Sequence, residues 1–249
     1  MKLLVGGKGG AGKSAVSLLL AHELSKKGNT ILLDSDESNR LLPKTLGLET
    51  PDTIANYLGG RSNVRKGIEN HEKINLNELP SEYVSKTENG ITYAAVGKIE
   101  EYGEGCACPY GFLSKELLKR IKLAPEEYMI VDAEAGIEHL GRGVEEGIDK
   151  LIVVIDPTAE GVEIAKKLVS EAQRIEKPIH LILNKVTPEV EKIMVDKLES
   201  EGLKADAVIR YDPVIFKSSL MGGLFSAEAA SEDISRDRKS TRLNSSHYS

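Results

Sequence analysis

The chain has very little cysteine, since its 249 residues include only two, Cys106 and Cys108. Such a pair cannot form a disulfide framework, and in a reducing compartment it more often serves metal or redox chemistry. The sequence also lacks any run approaching the roughly 20 apolar residues that cross a membrane. Net positive charge is missing too: the formal charge of -6 argues against a protein that binds nucleic acid through a broad basic surface. We therefore expect a cytoplasmic protein with neither a membrane nor a nucleic acid as partner.

The length and composition predict one soluble α/β domain. Hydrophobic residues make up 40% of the chain and charged residues 29%, which is ordinary for a globular protein. Residues 237–249 are polar and resemble the in-frame translation of a DNA-sequencing adapter. We expect the native chain to end or be cut near Arg236 and the domain to span residues 1–236.

A glycine-rich stretch directly follows the first apolar run, Leu3-Leu4-Val5, and matches the phosphate-loop pattern G-x-x-x-x-G-K-[ST]. Glycines let successive backbone N–H groups converge on a phosphate, and the following helix adds its positive dipole end. A lysine ammonium adds charge, and a serine hydroxyl can bind Mg²⁺. Nucleotide binding is therefore assigned to Gly7, Lys8, Gly9, Gly10, Ala11, Gly12, Lys13, Ser14 and Ala15.

Apolar strands alternate with amphipathic helices along the chain. This order predicts a mostly parallel sheet with helices on both faces, the three-layer fold of phosphate-loop nucleotide hydrolases. Strands are predicted at 3–5, 30–34, 91–96, 128–132, 151–155, 179–183 and 207–209, and helices at 15–27, 113–122, 161–175 and 189–200. Residues 49–89 are polar and irregular, and are predicted to form a surface excursion of the same domain. Residues 103–111 form a glycine-rich loop that contains both cysteines.

Polar residues follow five of the predicted strands at their carboxyl ends. In such sheets the ligand lies beyond those ends, so the five positions predict one shared site. The positions are the phosphate loop, Asp34, Asp132, Asp156 and Asn184.

Lys8 places a second lysine inside the loop, and with it the loop resembles that of the SIMIBI-class ATPases. This group includes septum-positioning, chromosome-partitioning, arsenite-pump and nitrogenase iron proteins. The resemblance implies that Lys8 reaches the phosphates bound to a second subunit, so that the active unit is a homodimer. A cation supplied in this way stabilises charge on the transferring phosphoryl group, as an arginine finger does. Lys8, Lys13 and Asp36 are the residues assigned to catalysis.

The acids after two strands resemble the switch segments of the same class. Asp36 would orient the attacking water, although an Asp-x-Asp at a strand end also commonly caps a turn or helix. Asp34 and Asp132 would hold Mg²⁺ together with Ser14. Gly136 of the segment Ala135-Gly136-Ile137-Glu138-His139 would donate its N–H to the γ-phosphate. Glu134 departs from the small or proline residue expected there, and His139 receives no role.

Asn184-Lys185 resembles the segment that recognises the nucleobase. An asparagine amide can both donate to and accept from adenine, so ATP is expected rather than GTP. An aspartate two residues after Lys185, which guanine-specific proteins carry, is not found in the sequence. Tyr211-Asp212-Pro213 is expected near the same edge.

Cys106-Ala107-Cys108-Pro109 is the second informative motif. Two neighbouring thiolates can bind one metal ion, but a zinc-like site usually needs four ligands. A two-fold dimer would supply four thiolates at its interface. The alternative is two small buried residues at a junction between a loop and a helix.

Together, the loop, the C-x-C-P motif and Leu140-Gly141-Arg142-Gly143 resemble the carbon monoxide dehydrogenase accessory ATPases. The likeness covers Met1 to about Phe225. It implies an ATP-hydrolysing, metal-dependent dimer that delivers nickel to carbon monoxide dehydrogenase or acetyl-CoA synthase, with Ni²⁺ or Zn²⁺ on Cys106 and Cys108. Two alternatives stay open: an electron donor similar to the nitrogenase iron protein with an intersubunit iron–sulfur cluster, and a membrane-positioning or partitioning ATPase.

Overall fold

The computed structural model describes residues 1–98, 108–134 and 144–223. Within these ranges the strands are β1 (Lys2–Gly7), β2 (Thr30–Asp34), β3 (Ser85–Lys86), β4 (Ile91–Ala95), β5 (Tyr128–Asp132), β6 (Lys150–Ile155), β7 (Ile179–Val186) and β8 (Ala207–Arg210). They form one sheet of eight strands in the order β3-β4-β2-β5-β1-β6-β7-β8. Seven strands are parallel and only β3 is antiparallel to its neighbour, so the predicted mostly parallel sheet is confirmed.

The helices are α1 (Lys13–Ser25), α2 (Leu42–Thr45), α3 (Ile54–Tyr57), α4 (Val64–Glu69), α5 (Cys108–Arg120), α6 (Ala159–Arg174), α7 (Pro188–Ser200) and α8 (Pro213–Met221). The four longest correspond to the four predicted helices, with ends that differ by a few residues. Thr158 explains the early start of α6, because its side chain accepts a hydrogen bond from the N–H of Gly161 and caps the helix.

Apart from the short edge strand β3, the strands are buried on both faces, and alternate residues enter two separate apolar clusters. In β2, Ile31 and Leu33 face one cluster while Leu32 faces the other. One cluster includes α1 residues such as Val16, and the other includes α5 residues such as Leu117. This burial explains why the strands are almost wholly apolar, and it confirms the three-layer fold.

Residues 49–89 pack on the main sheet rather than on a core of their own. Ile54 and Ile68, in the short helices α3 and α4, are fully buried in the same cluster as α5. Leu76, in a 3₁₀ turn at Leu76–Glu78, is also buried there. Residues 49–89 therefore cover part of one face of the sheet, and their apolar side chains point toward it.

A search of the described helices for a membrane span finds none that is both long and apolar enough.

Candidate functional site

The phosphate loop joins β1 to α1 at the carboxyl edge of the sheet. Its backbone enters conformations that favour glycine, with φ of 141° at Gly7 and 94° at Gly12. A Cβ on Gly7 would lie 2.3 Å from the carbonyl oxygen of Val154, because β1 runs close beside β6 there. Gly12 directly precedes α1 and leaves the amino end of that helix facing the loop. The arrangement is suited to an anion at the helix N-terminus.

Asn184 and Lys185 hold the phosphate loop from the end of β7. The Asn184 Nδ2 donates to the carbonyl of Ala11 at 2.8 Å, and the Lys185 Nζ donates to the carbonyl of Gly10 at 2.7 Å. Lys185 has φ of 60°, and the pairing of β7 with β8 shifts register at this residue. A left-handed lysine at a strand end is a strained conformation of the kind that collects at functional sites. The two residues predicted to recognise the base thus also contact the loop.

Lys13, the first residue of α1, is nearly buried. Its Nζ donates to the carbonyl of Lys8 at 3.3 Å. Burial lowers the pKa of Lys13, and the carboxylates of Asp132, Asp36 and Glu134 act in the opposite direction. The ammonium therefore faces a cluster of acids, where it can bind an anion held between the loop and the acids.

Lys8 is paired within its own chain. Its Nζ lies 3.3 Å from Asp156 Oδ2 and 3.0 Å from Glu160 Oε2, and it donates to Thr158 Oγ1 at 3.3 Å. Hydrogen bonds from Lys8 to Glu160 and Asp156 raise its pKa. From the sequence, Lys8 was predicted to reach the phosphates bound to a second subunit. In the single chain its side chain instead contacts residues at the start of α6.

Asp132, the last residue of β5, has a buried carboxylate with one free oxygen. Ser17 of α1 donates to Oδ1 at 2.8 Å, whereas Oδ2 accepts no hydrogen bond from the part of the chain that the structure describes. Burial raises the pKa of Asp132, and the hydroxyls of Ser14 and Ser17 oppose that effect. A buried carboxylate oxygen without a donor next to a serine hydroxyl fits a hard cation with oxygen ligands, so these residues fit Mg²⁺.

Asp34 pairs with Asp132 across neighbouring strands but has its own partners. Its Oδ2 accepts from the Lys98 Nζ at 2.7 Å and from the Tyr93 hydroxyl at 2.8 Å. Burial raises the pKa of Asp34 to about 6, against the opposing effects of Lys98 and Tyr93. Lys98 and Tyr93 are site residues that sequence reasoning missed.

Asp36 lies at the edge of a nucleotide-sized cleft beside the phosphate loop. Its Oδ1 accepts from the N–H of Ser38 at 2.9 Å and from the Ser38 hydroxyl at 2.6 Å. The side chain therefore caps its own turn in this structure, which was the alternative interpretation of the Asp-x-Asp pattern. It also lines the cleft together with Lys13, so its predicted role toward water stays a prediction.

The cleft beside the loop has a volume of about 540 Å³. Loop residues, Asp36, Asn184 and Lys185 all line it. Aromatic residues after β8 complete it: Tyr211 lines the cleft as expected, and so does Phe216 of α8, which the sequence did not predict. The two rings contact each other with centroids 5.9 Å apart.

Several predicted residues lie outside the described ranges, namely Cys106, Gly136 and His139. Cys108 is the first residue of α5, so the C-x-C motif ends at the start of that helix. In the described ranges, 1–98, 108–134 and 144–223, no group of three or more His, Cys, Asp or Glu side chains is arranged to hold a metal ion.

A parallel sheet with a glycine-rich loop, an N-terminal helix lysine and strand-end acids defines a phosphate-loop nucleotide hydrolase. The chain belongs to the CobQ/CobB/MinD/ParA nucleotide binding domain family, whose model matches residues 2–224. It is an ATPase of the MinD/ParA type.

Two relatives differ in what their names describe. The ATP-binding protein MJ0084 of Methanocaldococcus jannaschii is 42% identical over 239 residues, which cover 92% of this chain and 95% of that protein. The carbon monoxide dehydrogenase accessory protein CooC of Rhodospirillum rubrum is 30% identical over 202 residues, covering 77% of this chain and 76% of that protein. Among solved structures, the septum site-determining protein MinD complexed with Mg-ADP from Pyrococcus horikoshii has a TM-score of 0.67 at 18% identity, covering 97% and 96% of the two chains. The last likeness supports the fold.

Proposed function

We propose that this ATPase is a dimeric switch that carries nickel to carbon monoxide dehydrogenase or acetyl-CoA synthase. One observation carries the proposal: the two cysteines of the chain form a C-x-C motif whose second cysteine begins α5, in a family member that is 30% identical to the accessory protein CooC. Two thiolates from each of two subunits would complete a four-ligand site for Ni²⁺ or Zn²⁺. The metal ion is the cargo of this reaction.

In this proposal, the binding and hydrolysis of ATP determine when the dimer holds the metal and when it releases it. ATP would bind the phosphate loop, with Lys13 on its phosphates and Asn184 and Lys185 at the base. Ser14, Asp34 and Asp132 would hold Mg²⁺, directly or through water, and the cation would neutralise charge on the phosphates. Asp36 would orient the water, and the Gly136 N–H would contact the γ-phosphate.

Lys8 connects nucleotide binding to dimerisation in this proposal. It would exchange its ion pairs with Asp156 and Glu160 for the phosphates bound to the other subunit. The ion pair with Glu160 costs little to break because that carboxylate is 69% exposed, whereas the phosphates would have to replace the pair with Asp156, whose side chain is 14% exposed. Two copies would then close face to face and bring their cysteine pairs together.

The test is metal analysis of the anaerobically purified full chain with Mg²⁺ and a non-hydrolysable ATP analogue. We expect about one Ni²⁺ or Zn²⁺ per dimer, held by four thiolates, and almost none in the double variant Cys106→Ser/Cys108→Ser. His22→Asn removes another potential metal ligand, in the last turn of α1, and should bind the metal as the wild type does. Unchanged metal stoichiometry and nucleotide-dependent dimerisation in the double cysteine variant would refute the proposal. A brown protein with stoichiometric iron would instead support an electron donor.

Relatives named as septum site-determining proteins favour a second candidate, a positioning ATPase. MinD of Thermotoga maritima is 24% identical over 200 residues, and the fold agrees with solved MinD structures. A positioning ATPase has no need of the C-x-C motif. It would hydrolyse ATP at the same rate in the double cysteine variant, and the metal measurement above separates the two functions.

A further inference from the structure

A lysine on a neighbouring strand holds the turn that carries Asp36. Lys98 follows β4, which pairs with β2 in parallel. Its Nζ lies 2.7 Å from Asp34 Oδ2 and donates to the backbone carbonyl of Asp36 at 2.6 Å. One ammonium therefore binds both the strand-end acid and the backbone of the residue two positions later.

The contact is buried, so water has little access to replace it as a partner of the Lys98 ammonium. The side chain of Lys98 is 9% exposed and that of Asp34 is 0% exposed. Separating a buried ion pair leaves two poorly solvated charges, which costs far more than breaking an exposed pair. Tyr93, itself buried, donates to the same Asp34 oxygen at 2.8 Å and further fixes the carboxylate.

The turn is held on both sides of Asp36. Its N–H donates to Asp34 Oδ1 at 3.1 Å, while its carbonyl accepts from Lys98. With both peptide groups fixed, the carboxylate of Asp36 can occupy only a narrow range of positions at the rim of the cleft. The ion pair thus acts on Asp36 through the backbone, without entering the cleft itself.

Lys98 is in turn held by α5. The Tyr110 hydroxyl donates to the Lys98 carbonyl at 3.2 Å, and Tyr110 is 7% exposed. The ring lies so close to Gly97 that a Cβ there would be 2.4 Å from Tyr110 Cδ1. Lys98 is consequently fixed at its ammonium and at its backbone.

We propose that Lys98 is a positioning residue for ATP hydrolysis, which holds the Asp34–Asp36 turn so that the Asp36 carboxylate faces the bound nucleotide, with Tyr110 holding Lys98 in place. The inference rests on the ATPase reaction and the proposed role of Asp36, and it stands whether or not the protein carries Ni²⁺ or Zn²⁺ on its cysteines. Displacing a group that positions a reactant by about 1 Å can cost on the order of 100-fold in rate, so a lost anchor should affect turnover strongly.

The test is steady-state ATPase kinetics of the full chain with Lys98→Met and Lys98→Arg. For Lys98→Met we expect kcat to fall at least about tenfold, with the KM for ATP within about threefold of the wild type, because Lys98 does not contact the cleft. Lys98→Arg retains a cation beside Asp34 and should restore a substantial part of kcat. Lys26→Met is the matched control, since it also removes a lysine from a buried carboxylate, Glu23, but at the end of α1 opposite the phosphate loop. It should leave kcat unchanged.

Tyr110→Phe keeps the inference testable if Lys98→Met fails to fold. Removing one hydroxyl should lower kcat about two- to fivefold at unchanged KM, as expected for a single lost hydrogen bond of about 1 kcal/mol. Tyr83→Phe, which makes the same chemical change where Tyr83 packs on Tyr57, should behave as the wild type. A folded Lys98→Met protein with wild-type kcat would overturn the inference. So would wild-type kcat in Tyr110→Phe if Lys98→Met is not folded.

Discussion

At the scale of single residues, the site depends on backbone positions as much as on charges. Gly12 combines a left-handed backbone with a close approach, because a Cβ there would lie 2.4 Å from Asn184 Nδ2. Asn184 in turn donates to Ala11, the residue before it. A single methyl group at Gly12 would therefore disturb both the loop and the residue that holds it.

We predict that Gly12→Ala weakens ATP binding about 10- to 100-fold, since it adds a strained φ and displaces Asn184, a combined cost of about 1–3 kcal/mol. Gly202→Ala is the matched control. Gly202 has a similar φ of 73° and open space around its Cβ position, and it does not line the cleft, so it controls for a strained alanine elsewhere in the fold. Isothermal titration with an ATP analogue measures both variants. Wild-type affinity in Gly12→Ala would contradict the prediction.

Asp34 provides a prediction about pH. Burial raises the pKa of its carboxyl from 3.8 to about 6, so the folded protein binds more protons than the unfolded chain between these values. Stability contributed by Asp34 must then fall as the pH rises through this window. At about 1.4 kcal/mol per pKa unit, the full change is about 3 kcal/mol.

Urea unfolding of the wild type and Asp34→Asn from pH 4 to pH 7 measures this change. Asp34→Asn also leaves buried Lys98 without its carboxylate, which adds an offset, so the pH dependence of the difference between the two proteins is compared rather than its absolute size. We expect the free energy of unfolding of the wild type, relative to Asp34→Asn, to drop by about 2–3 kcal/mol over the range. A difference that stays constant or rises with pH would contradict the assigned pKa direction.

At the scale of secondary-structure elements, α5 links the C-x-C motif to the nucleotide site. The helix begins at Cys108, and one turn and a half later its Ser114 hydroxyl lies 2.7 Å from the hydroxyl of Ser35. Ser35 stands between Asp34 and Asp36, and both serines are buried. A displacement of the start of α5 would therefore move Asp34 and Asp36, both through this contact and through the hydrogen bond of Tyr110 to Lys98.

A double-mutant cycle tests that link. Ser114→Ala and Ser35→Ala should each destabilise the protein by about 1–3 kcal/mol, because each leaves one buried hydroxyl without its partner. The double variant should lose less than the sum, with a coupling energy of about 1 kcal/mol. Thermal or urea unfolding gives the values. Additive losses would mean that the two hydroxyls do not interact.

The long elements could be predicted from the sequence because burial on both sheet faces imposes its own pattern. Buried strands such as β2 are apolar throughout, and α1 repeats apolar residues at helical spacing. The short helices α3 and α4 were missed, since one or two turns are too few to display a period. Helix α8 was missed for another reason: Phe216 and Leu220 are exposed, so its apolar residues do not mark a core-facing side.

The site was predicted where a local motif carries it and missed where distant residues meet. The phosphate loop and the strand-end acids follow from short patterns. Lys98 meets Asp34 across 64 residues of chain, and Tyr93 meets it across 59. No local pattern marks either pair, because the parallel sheet alone brings the ends of separate strands together.

At the scale of the whole molecule, the proposal requires two copies. Each chain supplies only two cysteines, and its Lys8 is engaged with Asp156 and Glu160 of the same chain. Closing two copies would complete the thiolate site and release Lys8 toward the other nucleotide. ATP and metal then favour the same dimer, so by linkage each must strengthen the binding of the other.

The most direct test is the nickel affinity of the anaerobically purified full chain, measured with and without a non-hydrolysable ATP analogue and Mg²⁺. The account predicts that the analogue tightens Ni²⁺ binding at least about fivefold, the lower end of a typical coupling between sites. It also predicts that Ni²⁺ tightens binding of the analogue by the same factor. Identical nickel affinities in the two conditions would contradict the proposed metal-linked switch.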